Sequence, residues 1–386
     1  MKIIGITHWR IPSEKTMAPY MMRVMEAFAH EGAQVEFWAP RRRNTSELSG
    51  TDPFAYHVIE PNFRMRYLPV IDLMPQTAGR FGFYLMLGSF VVSVFFRMLF
   101  MRGRKNAVFY FFDLRDAVTA HVLSNKTFCE IHMYYRSSLD AINRRGFKSM
   151  SGIIAATKPL RTAIQRDYGV SDKKVLHAPC GVNYERFGID TPMRDARQKL
   201  GLPQDGKIIL YVGHLFPVKG VNVLFDAHTG LRSGETIYFV GGTDEDIENF
   251  RKKWRAAGSP NNVVIAGRKP HQEIPLWLRA ADILSIPNTA KEDAGSIESS
   301  PSKLIEYMAS GRPIVASDVP GIRDVLEEGM GYFAQPDNAG AIAVAVHEAF
   351  DNPQEAERRT AAARAAAKNL SWDGRARSIL AFISNK

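Results

Sequence analysis

Short apolar runs alternate along this chain with segments whose apolar residues recur every three or four positions. In the first half the runs Lys2–Thr7, Gln34–Trp38, Ala107–Phe111, Phe128–Ile131, Gly152–Ala155 and Val175–Ala178 predict strands. In the second half the runs near Ile208–Val212, Thr236–Val240, Asn262–Ile265, Ile283–Ile286 and Pro313–Ala316 do the same. Met17–Glu31 predicts a helix closed by Gly32 as a left-handed cap, and residues 342–386 are Ala-rich and helical. Strands alternating with helices are the mark of α/β architecture with parallel sheets. No repeat of solenoid period is visible. The pattern predicts two doubly wound, Rossmann-like halves meeting near residue 185–190, with a ligand cleft at the carboxyl ends of their strands.

One segment departs from this alternation. Phe81 to Phe96 carries no charge over sixteen residues, then Arg97, Met98-Leu99-Phe100-Met101, Arg102, Arg104 and Lys105 follow. Sixteen residues fall short of the ~20 needed to span a bilayer. A buried core helix would have to hide Phe81, Phe83, Tyr84, Phe90, Phe95 and Phe96 together. The third reading is a helix lying in a membrane interface, with Arg80, Arg97, Arg102, Arg104 and Lys105 at the headgroups.

Charge bears on that choice. The 386 residues carry a net charge of +10, and Lys plus Arg outnumber Asp plus Glu by 26 to 16 through residue 190 and stand at 24 to 24 beyond it. The excess is confined to the first half, which predicts an anionic partner there. Without a helix-turn-helix, zinc finger or RNA-binding aromatic signature, an anionic membrane surface is favoured and nucleic acid is not. Two cysteines cannot build a metal cluster or a disulfide framework. With an N-terminus that reads as a first strand and not as a signal peptide, they point to a cytoplasmic setting, peripheral to the inner face of the membrane.

Several chemistries are excluded by missing motifs. The loop after the first strand reads His8-Trp9-Arg10-Ile11-Pro12, and Val240-Gly241-Gly242-Thr243 also lacks the dinucleotide fingerprint. There is no Walker lysine loop, G-x-S-x-G elbow or H-E-x-x-H helix.

The informative stretch runs Glu298-Ser-Ser-Pro-Ser-Lys-Leu-Ile-Glu306-Tyr-Met-Ala-Ser-Gly311-Arg-Pro-Ile-Val-Ala-Ser317. Ser300 suits an N-cap, Pro301 the first helical position and Gly311 the residue past the end, so a helix is predicted over Pro301–Ser310. The N–H groups near Ser299, Ser302 and Lys303 would form an anion site for a phosphate or diphosphate. Glu298 and Glu306 can border the same pocket. Carboxylates beside a phosphate repel it unless they bind hydroxyls, so a diphosphate between two polyhydroxyl groups, a nucleotide sugar, fits both. The bland alternative is a loop glutamate and an exposed helical one. Upstream, strand Ile208–Val212 leads through Gly213-His214 to Lys219-Gly220, where a lysine can reach a bound phosphate.

Together these residues resemble the retaining nucleotide-sugar glycosyltransferases of the GT-B fold, family four. Glu298 through Glu306 resembles the family's E-x7-E element, and Gly213 through Lys219-Gly220 its phosphate loop. Pro179-Cys-Gly181-Val182-Asn183-Tyr-Glu-Arg-Phe187, Gly241-Gly242 and Ala280-Ala281-Asp282 resemble further motifs in the expected order. The resemblance implies two Rossmann-like domains facing across a cleft. They would cover 1–187 (acceptor side, with 81–105 facing a membrane) and 188–368 (donor side), and 369–386 would cross back to the first. It implies that Glu298 binds hydroxyls of the transferred sugar, Glu306 the ribose, and Lys219 the leaving diphosphate. Gly213, His214, Ser299, Ser300, Ser302 and Lys303 would line the donor site, with Arg268 at the base. His132 of Glu130-Ile131-His132 would face the transferred sugar.

Three departures stand out. His214 replaces the arginine that partners the lysine, leaving Arg10, Lys15 or Lys303 to compensate; the N-terminal glycine pair is missing; Asn183 replaces an aspartate. No cofactor and no metal are expected, since Asp244-Glu245-Asp246 reads as acids in a first helical turn. The expected reaction is retaining transfer from a nucleotide sugar, UDP before GDP, to the hydroxyl of a lipid-linked or glycan acceptor. The alternatives are an inert membrane-peripheral binding protein of the same fold, or a sugar-nucleotide epimerase.

Overall fold

The structure is a computed structural model. It describes residues 1–73, 75–117, 122–133, 140–292, 296 and 302–386, and at 75–78, 140 and 142 it describes the backbone. The chain divides into two compact units, Met1–Ala156 with Leu160–Ala178 and Trp372–Lys386, and Thr157–Pro159 with Pro179–Ser371.

The first unit holds seven parallel strands: β1 (Lys2–Ile6), β2 (Gln34–Pro40), β3 (Arg64–Leu68), β4 (Ala107–Phe111), β5 (Thr127–Ile131), β6 (Gly152–Ala155) and β7 (Val175–His177). Their order is β3-β2-β1-β4-β5-β6-β7. Side chains alternate across the sheet, so it carries two apolar faces. Ile4, Ile6, Trp38, Phe109, Phe111, Cys129, Ile131 and Ile153 share one cluster. Ile3, Val35, Phe37, Val108, Tyr110, Phe128 and Ile154 share the other, which is covered by Met22, Met25 and Phe28 of helix Met17–His30. Ala376, Ile379 and Ile383 of the last helix, Trp372–Ser384, cover the same face. That apolar stripe is why the C-terminal helix belongs to the first unit, as expected.

The second unit holds β8 (Lys207–Val212), β9 (Glu235–Val240), β10 (Val263–Gly267), β11 (Ile283–Ile286), β12 (Ile314–Ser317) and β13 (Tyr332–Ala334), in the order β10-β9-β8-β11-β12-β13, all parallel. In each sheet the strand order reverses direction at one place, between β1 and β4 and between β8 and β11. Ligands of open α/β sheets collect at the carboxyl ends of such strands.

Three boundaries differ from the sequence expectation. The units part at Ala178/Pro179 and not after residue 187, because Val182 donates to Leu370 O at 2.8 Å and bridges to Ser371, tying the linker to the second unit. For the same reason the crossing begins at Trp372 and not at 369. The Ala-rich tail is three helices, Ala339–Asp351, Pro353–Lys368 and Trp372–Ser384, the first break falling at Pro353, which suits a helix start.

The uncharged segment lies in helix Pro75–Leu99, which is kinked at Gly79. Gly79–Leu99 is long and apolar enough to cross a membrane by length and composition. Yet Met86, Phe90, Val94 and Met98 recur at helical spacing and are buried, the last three in the cluster on the β1–β4 face. This helix therefore belongs to the core of the first unit. Its other face is apolar as well and is open: Phe81 is 71% exposed and Phe96 52%, with Tyr84, Val92 and Leu99 on the same side. Arg97 does not extend towards solvent as expected of a headgroup ligand, since its guanidinium lies over the Trp38 ring at 5.9 Å. Arg80, Arg102 and Lys105 are exposed, and Arg104 donates to Leu99 O at the helix end.

Candidate active site

At the switch point of the second sheet, β8 runs out into Gly213. Its loop is pinned on both sides by backbone. A Cβ on Gly241 (φ +114) would meet Gly213 O at 2.4 Å, and one on Gly220 (φ +69) would meet Pro287 O at 1.7 Å. Only glycine allows these approaches, which hold the β8 loop between the ends of β9 and β11. Lys219 closes the short turn Pro217–Lys219 within this loop.

Helix Ser302–Ser310 is fastened to the same strand end. Tyr307 OH accepts from Val212 N at 2.7 Å, and Lys303 Nζ donates to Tyr211 OH at 3.0 Å, 4.4 Å from that ring's centre. The Lys303 ammonium also lies against Gly213, 2.7 Å from where a Cβ would stand. Burial, and then the charge of Lys219, push the Lys303 amine down to about 7. Burial pushes Glu306 up to about 7, against the pull of Arg186 and Lys303. Among the described residues none donates a hydrogen bond to Glu306. Lys303 thus lies beside Gly213 within the field of Lys219, with the half-buried Glu306 one helical turn further along.

His214 follows Gly213 within the field of both lysines. Its ring stacks on Phe216 with centroids 4.9 Å apart, and Nδ1 faces Asp246 at 3.8 Å. Burial, Lys303 and Lys219 together outweigh Asp246 and lower its pKa, so it stays neutral and supplies no charge for a phosphate. Asp246 is itself engaged in a capping box, exchanging hydrogen bonds with Thr243. Asn183 caps helix Tyr184–Phe187 by accepting from Arg186 N at 3.0 Å, a structural task.

Arg268 is exposed just past β10, beside Gly267, whose carbonyl accepts from Gly241 N at 2.8 Å. Ser302 opens the described part of its helix. Glu298, Ser299 and Ser300 lie outside the described residues.

His132 belongs to the first unit, just past β5. Its Nε2 meets Glu130 Oε1 at 2.7 Å, and Tyr20 packs edge-on against its ring at 4.5 Å. Burial alone would raise Glu130, but the charge of Arg375 and the hydrogen bonds from His132 and Tyr110 hold it far below the ordinary carboxylate range. At the switch between β1 and β4 stands a second pair that motif reading missed. His8 Nδ1 lies 2.9 Å from Asp116 Oδ1, and His8 N donates to Oδ2 at 3.0 Å. Burial opposes the charged imidazole, yet Asp116 and Asp113 leave its pKa raised. The available signal was position, since His8 stands two residues past the end of β1.

Residues 192–367 match the family described as glycosyl transferases group 1. That stretch is similar to the group 1 glycosyltransferases. A D-inositol 3-phosphate glycosyltransferase of Streptomyces scabiei is 30% identical over 233 residues, 57% of this chain and 51% of that protein. A phosphatidyl-myo-inositol mannosyltransferase of Mycobacterium leprae is 30% identical over 210 residues, 53% and 52% of the two chains. The aligned part is about half the length of these relatives. The structure of Anabaena HepE in complex with UDP superposes over 100% of both chains with TM-score 0.75 at 16% identity. The fold is GT-B.

Proposed function

We propose that this chain is a retaining glycosyltransferase that moves a sugar from a nucleotide-sugar donor to a hydroxyl of a lipid-linked or membrane-associated glycan acceptor. The observation that carries the reading is the convergence of Lys219, Lys303 and Glu306 on the end of β8. A diphosphate suits the two lysines, and ribose hydroxyls can donate to Glu306. In the reaction the acceptor oxygen bonds the anomeric carbon as its bond to the diphosphate breaks. The acceptor's proton passes to the leaving phosphate, and Glu298 binds sugar hydroxyls and is not a nucleophile. Lys219 and Lys303 stabilise the charge that develops on the diphosphate, so no metal is invoked. UDP sugars are favoured over GDP sugars, in keeping with UDP in the HepE complex. A panel of nucleotide sugars tests this by thermal shift and by donor hydrolysis. Neither stabilisation nor hydrolysis by any UDP or GDP sugar would overturn it and leave the inert binding protein.

The membrane part of the proposal rests on the open apolar face of helix Gly79–Leu99, flanked by exposed Arg80, Arg102 and Lys105. Each basic group near an anionic surface is worth ~1 kcal/mol, enough with the aromatic side chains for reversible cytoplasmic-face attachment. Replacing Phe81, Phe96 and Phe100 by Ser is expected to release the protein from anionic liposomes while donor hydrolysis continues. Phe90 is unsuitable for that test because it is wholly buried. Wild-type protein that ignores anionic liposomes at low salt would assign the acceptor to solution.

A further inference from the structure

The pair His8–Asp116 stands where the first sheet reverses its strand order, between β1 and β4, and the glycosyl-transfer chemistry above leaves it unused. Asp116 lies in the short turn Leu114–Ala117 past β4, with its carboxylate fully buried. Oδ2 accepts from the backbone N of His8 at 3.0 Å, and Oδ1 lies 2.9 Å from Nδ1 of that ring. A carboxylate only accepts, so Nδ1 carries a hydrogen and Nε2, across the ring, is the atom left for a ligand. Among the described residues none hydrogen-bonds Nε2. Two aromatic rings flank the imidazole. Trp9 lies 5.8 Å from it, and Phe83 of helix Pro75–Leu99 stands edge-on at 5.9 Å, with the Arg115 guanidinium 5.8 Å from the Phe83 ring centre. Trp9 and Phe83 are half-buried, so part of each side chain is open.

Charge decides what fits. Arg115 is held by Asp113 through Nε at 2.9 Å and Nη2 at 2.6 Å, and His8 faces Asp116. The cluster therefore balances when the imidazole is charged and is negative when it is neutral, and neither state attracts an anion. Nε2 donates in the first state and accepts in the second. An ammonium, which only donates, answers one of them; a hydroxyl answers both. Hydroxyls around the rim of a ligand whose C–H face can lie on an aromatic ring describe a sugar. We propose that His8, Trp9 and Phe83 form a subsite for one uncharged sugar ring of the acceptor, with Nε2 hydrogen-bonded to one of its hydroxyls. Every group in it belongs to the first unit. That the sugar is the acceptor's rests on the glycosyl-transfer reading, whereas the binding of a sugar here does not. Phe83 also contacts Tyr84 of the open helix face, which sets the subsite beside the surface proposed to meet a membrane.

The test uses the full-length ¹⁵N-labelled protein without nucleotide, titrated with the methyl glycosides of glucose, galactose, mannose and N-acetylglucosamine and, separately, with pyrophosphate. His8→Gln and Trp9→Phe assign the two rings in ¹H–¹⁵N spectra. The free protein at alkaline pH is expected to show a protonated Nδ1 and a bare Nε2 at His8. At least one glycoside should move the His8 Nε2 and Trp9 Nε1 resonances together, and pyrophosphate should move neither. Trp9→Ala and Phe83→Ala are each expected to weaken that glycoside about tenfold, the scale of one lost aromatic contact. Affinity for UDP should be unchanged, since that grip lies on the second unit. An Nε2–H tautomer in the free wild type overturns the proposal whether or not the variants fold. So do two rings indifferent to every glycoside, shifts caused by pyrophosphate alone, or a glycoside affinity that neither variant changes. Sugar binding here by a protein that hydrolyses no nucleotide sugar would overturn the glycosyl-transfer reading and leave the subsite. Donor hydrolysis without glycoside binding would do the reverse.

Discussion

Glu130, fully buried, and Glu306, half-buried, are glutamates of the two units, and their surroundings drive them in opposite directions. Glu130 receives hydrogen bonds from Tyr20, Tyr110, His132 and Arg375, and its acidity is held far below the ordinary range. Glu306 has charges nearby but no described donor, and burial lifts it to about 7. Burial by itself disfavours both carboxylates, so what separates them is the supply of donors. A saturated carboxylate organises the protein around it. An unsaturated one is poised for donors that a ligand brings.

The widest gap between the two should appear in stability. Arg375→Leu leaves Glu130 buried without its charged partner and is expected to cost about 3–5 kcal/mol in a denaturant titration. Glu306→Gln should leave the free protein as stable as the wild type or more so. Glu306 titrates near 7 in the fold against an ordinary 4.5, so the fold favours its neutral form. Its contribution is whole below about 4.5 and is lost as pH rises through about 7. The advantage of Glu306→Gln should therefore grow across that window. Equal losses in the two variants would erase the distinction.

Lys219→Ala should come next, lowering kcat by roughly 10²–10³ through loss of one electrostatic donor to the leaving group. Activity is expected to persist in a chelator; its loss, with recovery on adding magnesium, would reassign that charge to a metal. Glu306→Gln should then weaken nucleoside diphosphate binding by roughly 1.5–3 kcal/mol, the scale of hydrogen bonds to a charged acceptor. Pyrophosphate, having no ribose, should bind it as it binds the wild type, and an equal loss for both ligands would move Glu306 off the ribose.

The smallest effect is a pH dependence. Lys303 loses its proton near 7, with Lys219, Glu306 and Tyr211 facing it. Its help to the diphosphate should fade as pH rises above 7, by at most about tenfold per unit. Lys303→Arg keeps its charge, so the ratio of wild-type to variant affinity for pyrophosphate should fall from pH 6 to 8.5. A flat ratio would mean that Lys303 stays charged or stands away from the phosphates.

Strand reading found every strand with two neighbours and missed two of the four at sheet edges. β1, β2, β4 to β6, β8, β9, β11 and β12 are apolar runs between neighbours, and periodicity found them, as it found the edge strands β7 and β10. The two it missed, β3 with Arg64-Met65-Arg66-Tyr67-Leu68 and β13 with Tyr332-Phe333-Ala334, each lie at the edge of a sheet. An edge strand tolerates charge or brevity because it lacks a second partner, so its pattern is diluted. The uncharged helix shows a related limit. Composition marks Phe81 and Phe90 alike, and only packing makes one a core residue and the other a surface one.

The donor side was legible because its motifs are local: a glycine loop that must approach backbone, a lysine at its end, a carboxylate two turns into a capped helix. These spacings are set by strand and helix geometry, and the sequence by itself determined them, with the α/β class and two units. Which cation would serve a phosphate was not local. His214 leaves the charge to Arg10, Lys15 or Lys303 on paper, and the fold sets His214 on Phe216 beside Asp246 and Lys303 against Tyr211. Nor was the Glu130 cluster local, since it needs Tyr20, Tyr110, His132 and Arg375 brought together by four elements. Ionisation and tautomer depend on the direction and number of nearby donors, which are properties of packing, so the tertiary structure alone decided them.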